Sequence, residues 1–225
     1  MSIFGHGVVA IWNGIAPEGR EQFYEWHDRE HMPERAGIPG FIRGRRYIAK
    51  YGHPEYFTLY EAESPEVLSG QDYFNRLNNP TPWTKSVVPA YFRATSRGVC
   101  RLKFSQSCGD GGYLITLQFG PRAGEDETLE RALRHKALPS VIDTPGVVGV
   151  HLCIADHAAS DVETAERKGR TVGIPKWLIL IEAVSPEAAD AGCDAVEAAG
   201  LTALGADPNT DRALYMMQFC RAKRG

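Results

Sequence analysis

The stretch PGFIRGRRYIA at residues 39–49 recurs as PGVVGVHLCIA at residues 145–155. A second matching tract follows each copy, EYFTLYEA at residues 55–62 and KWLILIEA at residues 176–183. After a gap of one residue, Ser-Pro-Glu follows each of these tracts. Matching order at similar spacing indicates that the chain contains an internal repeat.

The two ends of the repeated unit correspond as well. The opening segments at residues 8–12 and 114–119 are similar, and residues 100–103 and 220–223 both read Cys-Arg-x-Lys. Because these tracts occur in the same order in both halves, the sequence predicts two copies of one structural unit.

Each copy predicts the order strand, helix, strand, strand, helix, strand. Residues 8–12 are rich in β-branched and aromatic residues, which favour strands. Residues 17–34 carry aromatic and histidine side chains at helical spacing, and Pro39-Gly40 ends that helix. Ser64 before Pro65 predicts the start of the second helix, with Ser64 as its N-cap. This is the order of the ferredoxin-like, or split βαβ, unit.

A ferredoxin-like sheet carries helices on one face and leaves the other face apolar and uncovered. Packing two such sheets on their open faces buries both. We therefore predict an α+β fold in which two tandem ferredoxin-like βαββαβ units pack sheet to sheet as an α/β barrel. The predicted boundaries are a first unit at 1–104, a Gly-rich linker at 105–112 and a second unit at 113–225, with a charged surface insertion near 156–175.

Composition excludes several classes of function. The net charge of −3 and the absence of a long Lys/Arg block argue against a nucleic-acid partner. No apolar run approaches the roughly 18 residues of a membrane span, and the first residues do not resemble a signal peptide. The five cysteines are scattered and favour neither a disulfide framework nor a zinc ribbon. We expect a cytoplasmic protein that binds no membrane.

Alternation along the second strand of each unit predicts which side chains face the barrel interior. In the second unit, Val148, Val150, Leu152 and Ile154 are expected under the helices, and Val147, Gly149, His151 and Cys153 in the interior. The same register places Phe41, Arg43, Arg45 and Tyr47 in the interior of the first unit. The predicted cavity therefore carries Arg43, Arg45, Tyr47 and His151. The alternative is that the arginines are solvated on an exposed sheet face or pair with acidic residues for structure.

The first predicted helix contains the most chemically active segment, WHDREHMP at residues 26–33. His27-x-x-Glu30-His31 fits the H-x-x-E-H pattern, in which two histidines one turn apart share a zinc ion. That pattern is short, and no third ligand is evident further along the chain, so we expect no metal. A histidine with an ordinary pKa near 6.5 can instead carry protons at neutral pH.

The same helix resembles the first helix of EthD-like and related dimeric α/β-barrel proteins. The residues that carry this resemblance are Trp26, His31, Pro33 and the Pro39-Gly40 turn, together with residues 73–84. The aligned position in the second unit, Ala137, lacks the histidine, which predicts one functional cleft at His31. The resemblance specifies the fold more strongly than the reaction, since this fold hosts many activities.

The resemblance implies a cofactor-independent enzyme of the lyase or isomerase type, decarboxylases included, that acts on a small aromatic or polyketide-like acid or phenol. His31 would move a proton, with His27 and Tyr47 as further candidates. The predicted substrate-binding residues are Trp26, Arg43, Arg45, Tyr73, Trp83 and His151. Two alternatives stay open, a haem protein with a histidine ligand and a non-catalytic binding or stress-response module. A homodimer also stays open.

Overall fold

The structure, a computed structural model, describes residues 3–223 of the chain. Its strands are β1 (Gly7–Ile15), β2 (Phe41–Tyr51), β3 (Tyr56–Ala62), β4 (Phe92–Ser107), β5 (Tyr113–Phe119), β6 (Val147–Ala155), β7 (Trp177–Ala183) and β8 (Asp211–Ala222). Its α-helices are α1 (Arg20–Trp26), α2 (Met32–Ala36), α3 (Gln71–Asn78), α4 (Pro82–Tyr91), α5 (Asp126–Ala132), α6 (His157–Ser160) and α7 (Pro186–Ala198). Short 3₁₀ turns lie at Pro17–Gly19, Pro65–Ser69 and Val141–Asp143.

The strands form one closed antiparallel barrel in the order β1-β3-β2-β8-β5-β7-β6-β4. Strands β1 to β4 form one half and β5 to β8 the other, each with the order of a ferredoxin-like unit. The halves join at two seams, where β2 pairs with β8 and β4 pairs with β6. Closure leaves none of these eight strands at an exposed sheet edge. The predicted architecture of two ferredoxin-like units forming an α/β barrel is confirmed.

The repeated Pro-Gly pair makes the same turn in both halves. Gly40 has a φ of 80° and Gly146 a φ of 84°, a left-handed conformation that glycine adopts without steric cost. A Cβ atom on Gly40 would also lie 2.5 Å from the side chain of Val67. The turn therefore requires glycine in front of β2 and β6, which explains why these residues mark the repeat.

The observed helices agree with those predicted from the sequence except at two places. Ser185 caps α7 by accepting a hydrogen bond from the backbone of Ala188, whereas the matching Ser64 makes no side-chain cap and is followed by a 3₁₀ turn. The segment at residues 73–84 also breaks between α3 and α4, where Thr81 caps the new helix through the backbone of Thr84.

The apolar side chains fall into an inner layer and outer layers. The barrel interior is filled by side chains from strands of both halves, including Trp12, Phe57, Leu114, Leu180 and Tyr215. An eight-stranded barrel is just wide enough to be filled in this way. The helices cover the outer faces, and beneath α5 and α7 lies the largest apolar cluster of the second half.

Strand bulges alter the predicted faces at two positions. The register of β2 against β3 shifts between Phe41 and Arg43, and that of β6 against β7 shifts between Val147 and Gly149. Phe41 and Val147 were expected in the barrel interior, but both pack under the helices. The expectation was wrong because a bulge inserts one extra residue and so exchanges the two faces.

Two segments outside the repeat have defined positions. β4 continues to Ser107 and so extends into the segment predicted as a linker. The segment 156–175, predicted as a surface insertion, begins with α6 and lies against the first half, where Arg97 and Gly173 are joined by a backbone hydrogen bond. Within residues 3–223, no helix is long and apolar enough to cross a membrane.

Candidate functional site

A pocket opens on the outer face of the barrel in the first half. Its floor is formed by residues of β1, β3 and β4, its walls by the helices α1 to α4, and its cover by the segment 156–175. Its volume of about 80 Å³ accommodates roughly five to eight water-sized groups, at about 10–15 Å³ for each. Apolar atoms make most of its lining surface, supplied in part by Trp26, Tyr60, Tyr73, Leu77, Val88 and Phe92. This is the composition of a site for a small organic molecule.

A π-helical turn at His27–His31 brings both histidines to this pocket. The backbone N–H of Met32 donates to the carbonyl of His27, five residues earlier, which is the spacing of a π-turn. The two imidazole rings stack with their centroids 5.4 Å apart. Trp26 covers His31 at 4.3 Å between centroids, and its Nε1 donates to Thr84 Oγ1 at 3.1 Å. The wider turn thus places three aromatic side chains side by side at the pocket.

His27 is held in one protonation state by Arg46. Arg46 Nη1 lies 3.1 Å from His27 Nδ1, and because a guanidinium can only donate, Nδ1 must accept. The proton of the neutral ring is therefore on Nε2. Burial and the positive charges of Arg46 and Arg35 hold the pKa of His27 well below 6.5. His27 is a neutral hydrogen-bond donor at pH 7.

His31 is the better candidate for proton transfer. It is 6% exposed, and its Nδ1 has no hydrogen-bond partner among the described residues. Burial, then the charges of Arg35 and of His27, lower the pKa of His31 well below 6.5. Tyr60 Oη also lacks a hydrogen-bond partner in that part of the chain, and Arg35 Nη1 has an ion-pair contact with Glu34 at 3.5 Å; both residues line the same pocket.

Four arginines and one glutamate supply the charges of the pocket lining. Arg35, on α2, is paired with Glu166 of the cover, which ties the cover to the first half. Arg167 pairs with Asp161 at 3.0 Å. Arg97 and Arg170 bond to hydroxyl groups instead, Arg97 to Tyr73 Oη at 2.9 Å and Arg170 to Thr95 Oγ1 at 2.7 Å. The lining therefore carries an excess of positive charge.

The structure places the predicted site residues in three different locations. His31, His27, Trp26 and Tyr73 line the pocket. Arg43, Arg45, Tyr47 and His151 lie in the barrel interior, on the other side of the sheet, and do not line it. Trp83 lies in α4, is 36% exposed and is also outside the lining.

The interior group forms a buried ionic cluster. Arg45 contacts Glu61 at 2.9 Å and Glu182 at 2.9 Å, and Arg43 contacts Glu61 at 2.8 Å and Asp110 at 2.9 Å. His151 adds two contacts, with Glu182 Oε1 3.5 Å from its Nε2 and Ser105 Oγ 2.8 Å from its Nδ1. This matches the alternative interpretation in which acidic residues hold the arginines for structure.

The residues that the sequence did not reveal are Arg35, Tyr60, Arg97 and Arg170. Tyr60 belongs to the repeated tract at 55–62, but its partner in the second half is Ile181, and that difference is a usable signal. The charged composition of the segment 156–175 is visible in the sequence, yet nothing in it shows that the segment folds over the first half. Arg97 and Arg35 carry no such signal.

The zinc pattern at His27 and His31 is not realised as a metal site. His27 Nδ1 is bound by Arg46, and Glu30 accepts a hydrogen bond of 2.6 Å from Thr81 Oγ1. Among the described residues, no group of three or more His, Cys, Asp or Glu side chains could hold a metal ion.

Comparison with known proteins shows the fold. No family model and no curated protein matches the chain. Among solved structures, a candidate monooxygenase of Fusobacterium nucleatum subsp. nucleatum ATCC 25586 is similar with a TM-score of 0.64 and 8% identity, covering 99% of this chain and 97% of that one. An anthrone oxidase-like protein has a TM-score of 0.64 and 14% identity, covering 96% and 92%.

A haem-binding protein of Thermus thermophilus is similar with a TM-score of 0.55 and 12% identity, covering 94% of this chain and 91% of that one. Haem does not fit the pocket in the conformation described, because about 80 Å³ falls well below the roughly 300–1,000 Å³ of sites that hold drug-sized ligands.

Proposed function

We propose that the protein is a cofactor-independent enzyme of the EthD-like kind, which acts on a small aromatic or polyketide-like acid or phenol by proton transfer at His31. The observation that carries this proposal is that His31 and Tyr60, whose Nδ1 and Oη atoms are buried without a hydrogen-bond partner among the described residues, line one pocket together with the charged Arg35. Leaving a buried polar group unsatisfied costs about 1–3 kcal/mol. A ligand that supplies partners offsets that cost.

The two histidines take different roles. His27 offers Nε2–H as a donor, because Arg46 occupies its Nδ1. His31 is neutral at pH 7 and can accept a proton from the substrate. An anionic substrate would stabilise the resulting imidazolium, since a negative charge close by raises a histidine pKa.

The shape of the pocket supports a compact substrate with a ring. Trp26, Tyr73 and Phe92 provide flat apolar surfaces, and the volume of about 80 Å³ favours a small ligand over a fused ring system. A proton taken by His31 and returned to another atom of the substrate gives an isomerisation. A proton that His31 takes from a hydroxyl group of the substrate and delivers to the carbon that loses CO₂ gives a decarboxylation. The names of the candidate monooxygenase and the anthrone oxidase-like protein also indicate chemistry on small molecules.

The proposal is tested by hydrogen–deuterium exchange into substrates. A thermal-shift screen of aromatic and short polyketide-like acids and phenols selects ligands, and each is then incubated with the protein in D₂O and followed by NMR. We expect deuterium incorporation or loss of CO₂ with the wild type and a rate at least about 100-fold lower with His31→Gln.

His135→Gln is the matched control, because His135 is the exposed histidine of the corresponding turn in the second half. Its rate should equal that of the wild type. An unchanged rate in His31→Gln would overturn the proposed role of His31. The haem alternative predicts a Soret band on adding haemin that His31→Gln and His27→Gln abolish. The non-catalytic alternative predicts ligand binding without exchange.

A further inference from the structure

Two pocket arginines have no carboxylate partner in the described part of the chain. Arg35 is paired with Glu166 and Arg167 with Asp161, whereas Arg97 and Arg170 are held by Tyr73 and Thr95. A buried or half-buried guanidinium normally pairs with an acid, since the charge is costly to desolvate alone.

Both guanidinium groups are nevertheless held in place. Arg97 Nη2 donates to Tyr73 Oη, and its guanidinium carbon lies 5.7 Å from the centre of the same ring. Arg170 donates to Thr95 and lies 5.4 Å from the ring of Phe92. Stacking on an aromatic ring and one hydrogen bond to a hydroxyl group hold each guanidinium group in place. The remaining N–H groups of each guanidinium can donate hydrogen bonds to a ligand.

The two arginines come from opposite halves of the chain. Arg97 lies on β4 and Arg170 on the cover, and Arg170 reaches Phe92 and Thr95 of the same strand. Burial lowers the pKa of Arg170 below its ordinary value even with Glu166 nearby, so its charged form lacks full compensation. A bound anion would supply it.

We propose that Arg97 and Arg170 form the carboxylate-binding end of the pocket, so that its ligand is a small carboxylic acid bound as its anion. This inference rests on the proposed function of the same pocket and narrows its substrate class from acids or phenols to carboxylates. Planar guanidinium groups bind carboxylates by paired, charge-assisted hydrogen bonds. With this assignment, Arg43 and Arg45 are not required as carboxylate-binding residues. Their partners in the barrel interior are acidic side chains.

The test compares sodium benzoate with benzamide, a neutral molecule of nearly the same shape, by isothermal titration calorimetry. We expect the wild type to bind benzoate at least about tenfold more tightly than benzamide, in line with hydrogen bonds to charged groups. Arg97→Gln and Arg170→Gln should each weaken benzoate binding about tenfold or more and leave benzamide binding within about twofold.

Arg93→Gln and Lys168→Gln are the matched controls, because both side chains are exposed and lie on the same strand and the same covering segment outside the lining. Circular dichroism and thermal unfolding establish that each variant is folded. The inference is overturned if the wild type binds benzoate no better than benzamide, if neither probe binds at millimolar concentration, or if both arginine variants keep full benzoate affinity.

Failure of this inference differs from failure of the proposed function. If the arginine substitutions have no effect on benzoate binding but His31→Gln still abolishes deuterium exchange into a phenol, the proposed carboxylate site is wrong and the proposed enzymatic function is retained. If benzoate binding depends on both arginines but His31→Gln leaves deuterium exchange unchanged, the proposed carboxylate site is retained and the proposed role of His31 is wrong.

Discussion

Arg46 reaches across from β2 to the π-turn, and its Nη1 lies 3.1 Å from Nδ1 of His27. The same guanidinium pairs with Asp28 and stacks against the rings of Phe23 and Tyr24, with its carbon 5.5 Å and 4.7 Å from their centres. Arg46 does not line the pocket itself, but it determines the tautomer of His27 and lowers the pKa of that pocket residue.

Replacing Arg46 should change the protonation of His27. In Arg46→Leu, Nδ1 loses its donor and the pKa of His27 should rise, because a nearby positive charge lowers it in the wild type. Long-range ¹H–¹⁵N NMR of the imidazole reports both the tautomer and the pKa. Arg46→Lys is the control that keeps the charge, and it should keep the pKa low. A wild-type spectrum with the proton on Nδ1 would contradict the prediction.

Acid should destabilise the protein through the two pocket histidines. Their pKa values in the folded state lie below 6.5, so the unfolded chain binds protons more readily, and folding stability falls as the pH drops below 6.5. The loss is about 1.4 kcal/mol per pH unit for each histidine until the folded pKa is reached.

Urea unfolding at pH 7.5, 6.5 and 5.5 measures this loss. His27→Gln and His31→Gln should each remove part of the pH dependence, while His135→Gln, an exposed position, should not. Parallel pH curves for the wild type and both pocket variants would show that the histidines are not neutral when folded.

Breaking the tie between Arg35 and Glu166 should loosen the cover. In Glu166→Gln the nearly buried Arg35 keeps only Glu34, 3.5 Å away, as an acidic partner among the described residues, and we expect a loss of about 2 kcal/mol. Amide hydrogen exchange should accelerate within residues 156–175 and stay unchanged in the second-half core. Glu163→Gln, exposed on the same segment, is the control. Equal protection of the cover in both variants would show that the ion pair does not hold it.

The interior ionic cluster should serve stability rather than ligand binding. Glu182 is fully buried, and its pKa is lowered to about 2, with Arg45 the strongest stabilising neighbour of its charged form. Glu182→Gln should therefore cost about 3–5 kcal/mol at pH 7, as removal of one partner from a buried pair does. Its contribution is present above the unfolded pKa of about 4.3 and is lost as the pH falls towards 2.

The double variant Arg45→Met with Glu182→Leu should recover most of that stability, because matched apolar side chains can replace a buried ion pair. Exposed Glu187→Gln is the control. Chemical denaturation gives the stability, and calorimetry with benzoate gives the affinity, which should stay unchanged. An affinity that drops in the double variant would support the sequence-based prediction that Arg45 binds substrate.

The fold could be predicted from the sequence because the repeated residues are those that determine the local backbone conformation. The Pro-Gly turns need a left-handed glycine, and strand patterns such as EYFTLYEA at 55–62 depend on local alternation. Phe41 and Val147 were misplaced because a bulge shifts the register by one residue without a distinct local pattern.

The candidate site was predictable where its residues lie in helical segments recognised from the sequence, which include Tyr73 on α3. Trp26, His27 and His31 were found because they lie in consecutive turns of a recognisable segment. Arg97 and Arg170 are 73 residues apart in the chain and line one pocket only because the cover folds over the other half. Arg43 and Arg45 were expected near His31 because alternation gives the face of a sheet but not which face holds the opening.

Closure of the barrel at the β2–β8 and β4–β6 seams lies within a single polypeptide. Dilution cannot separate the two halves, so the barrel persists at any protein concentration. Each substitution also enters the barrel once, rather than twice as in a symmetric pair of identical chains. One half can therefore carry the pocket while the other is packed with apolar side chains.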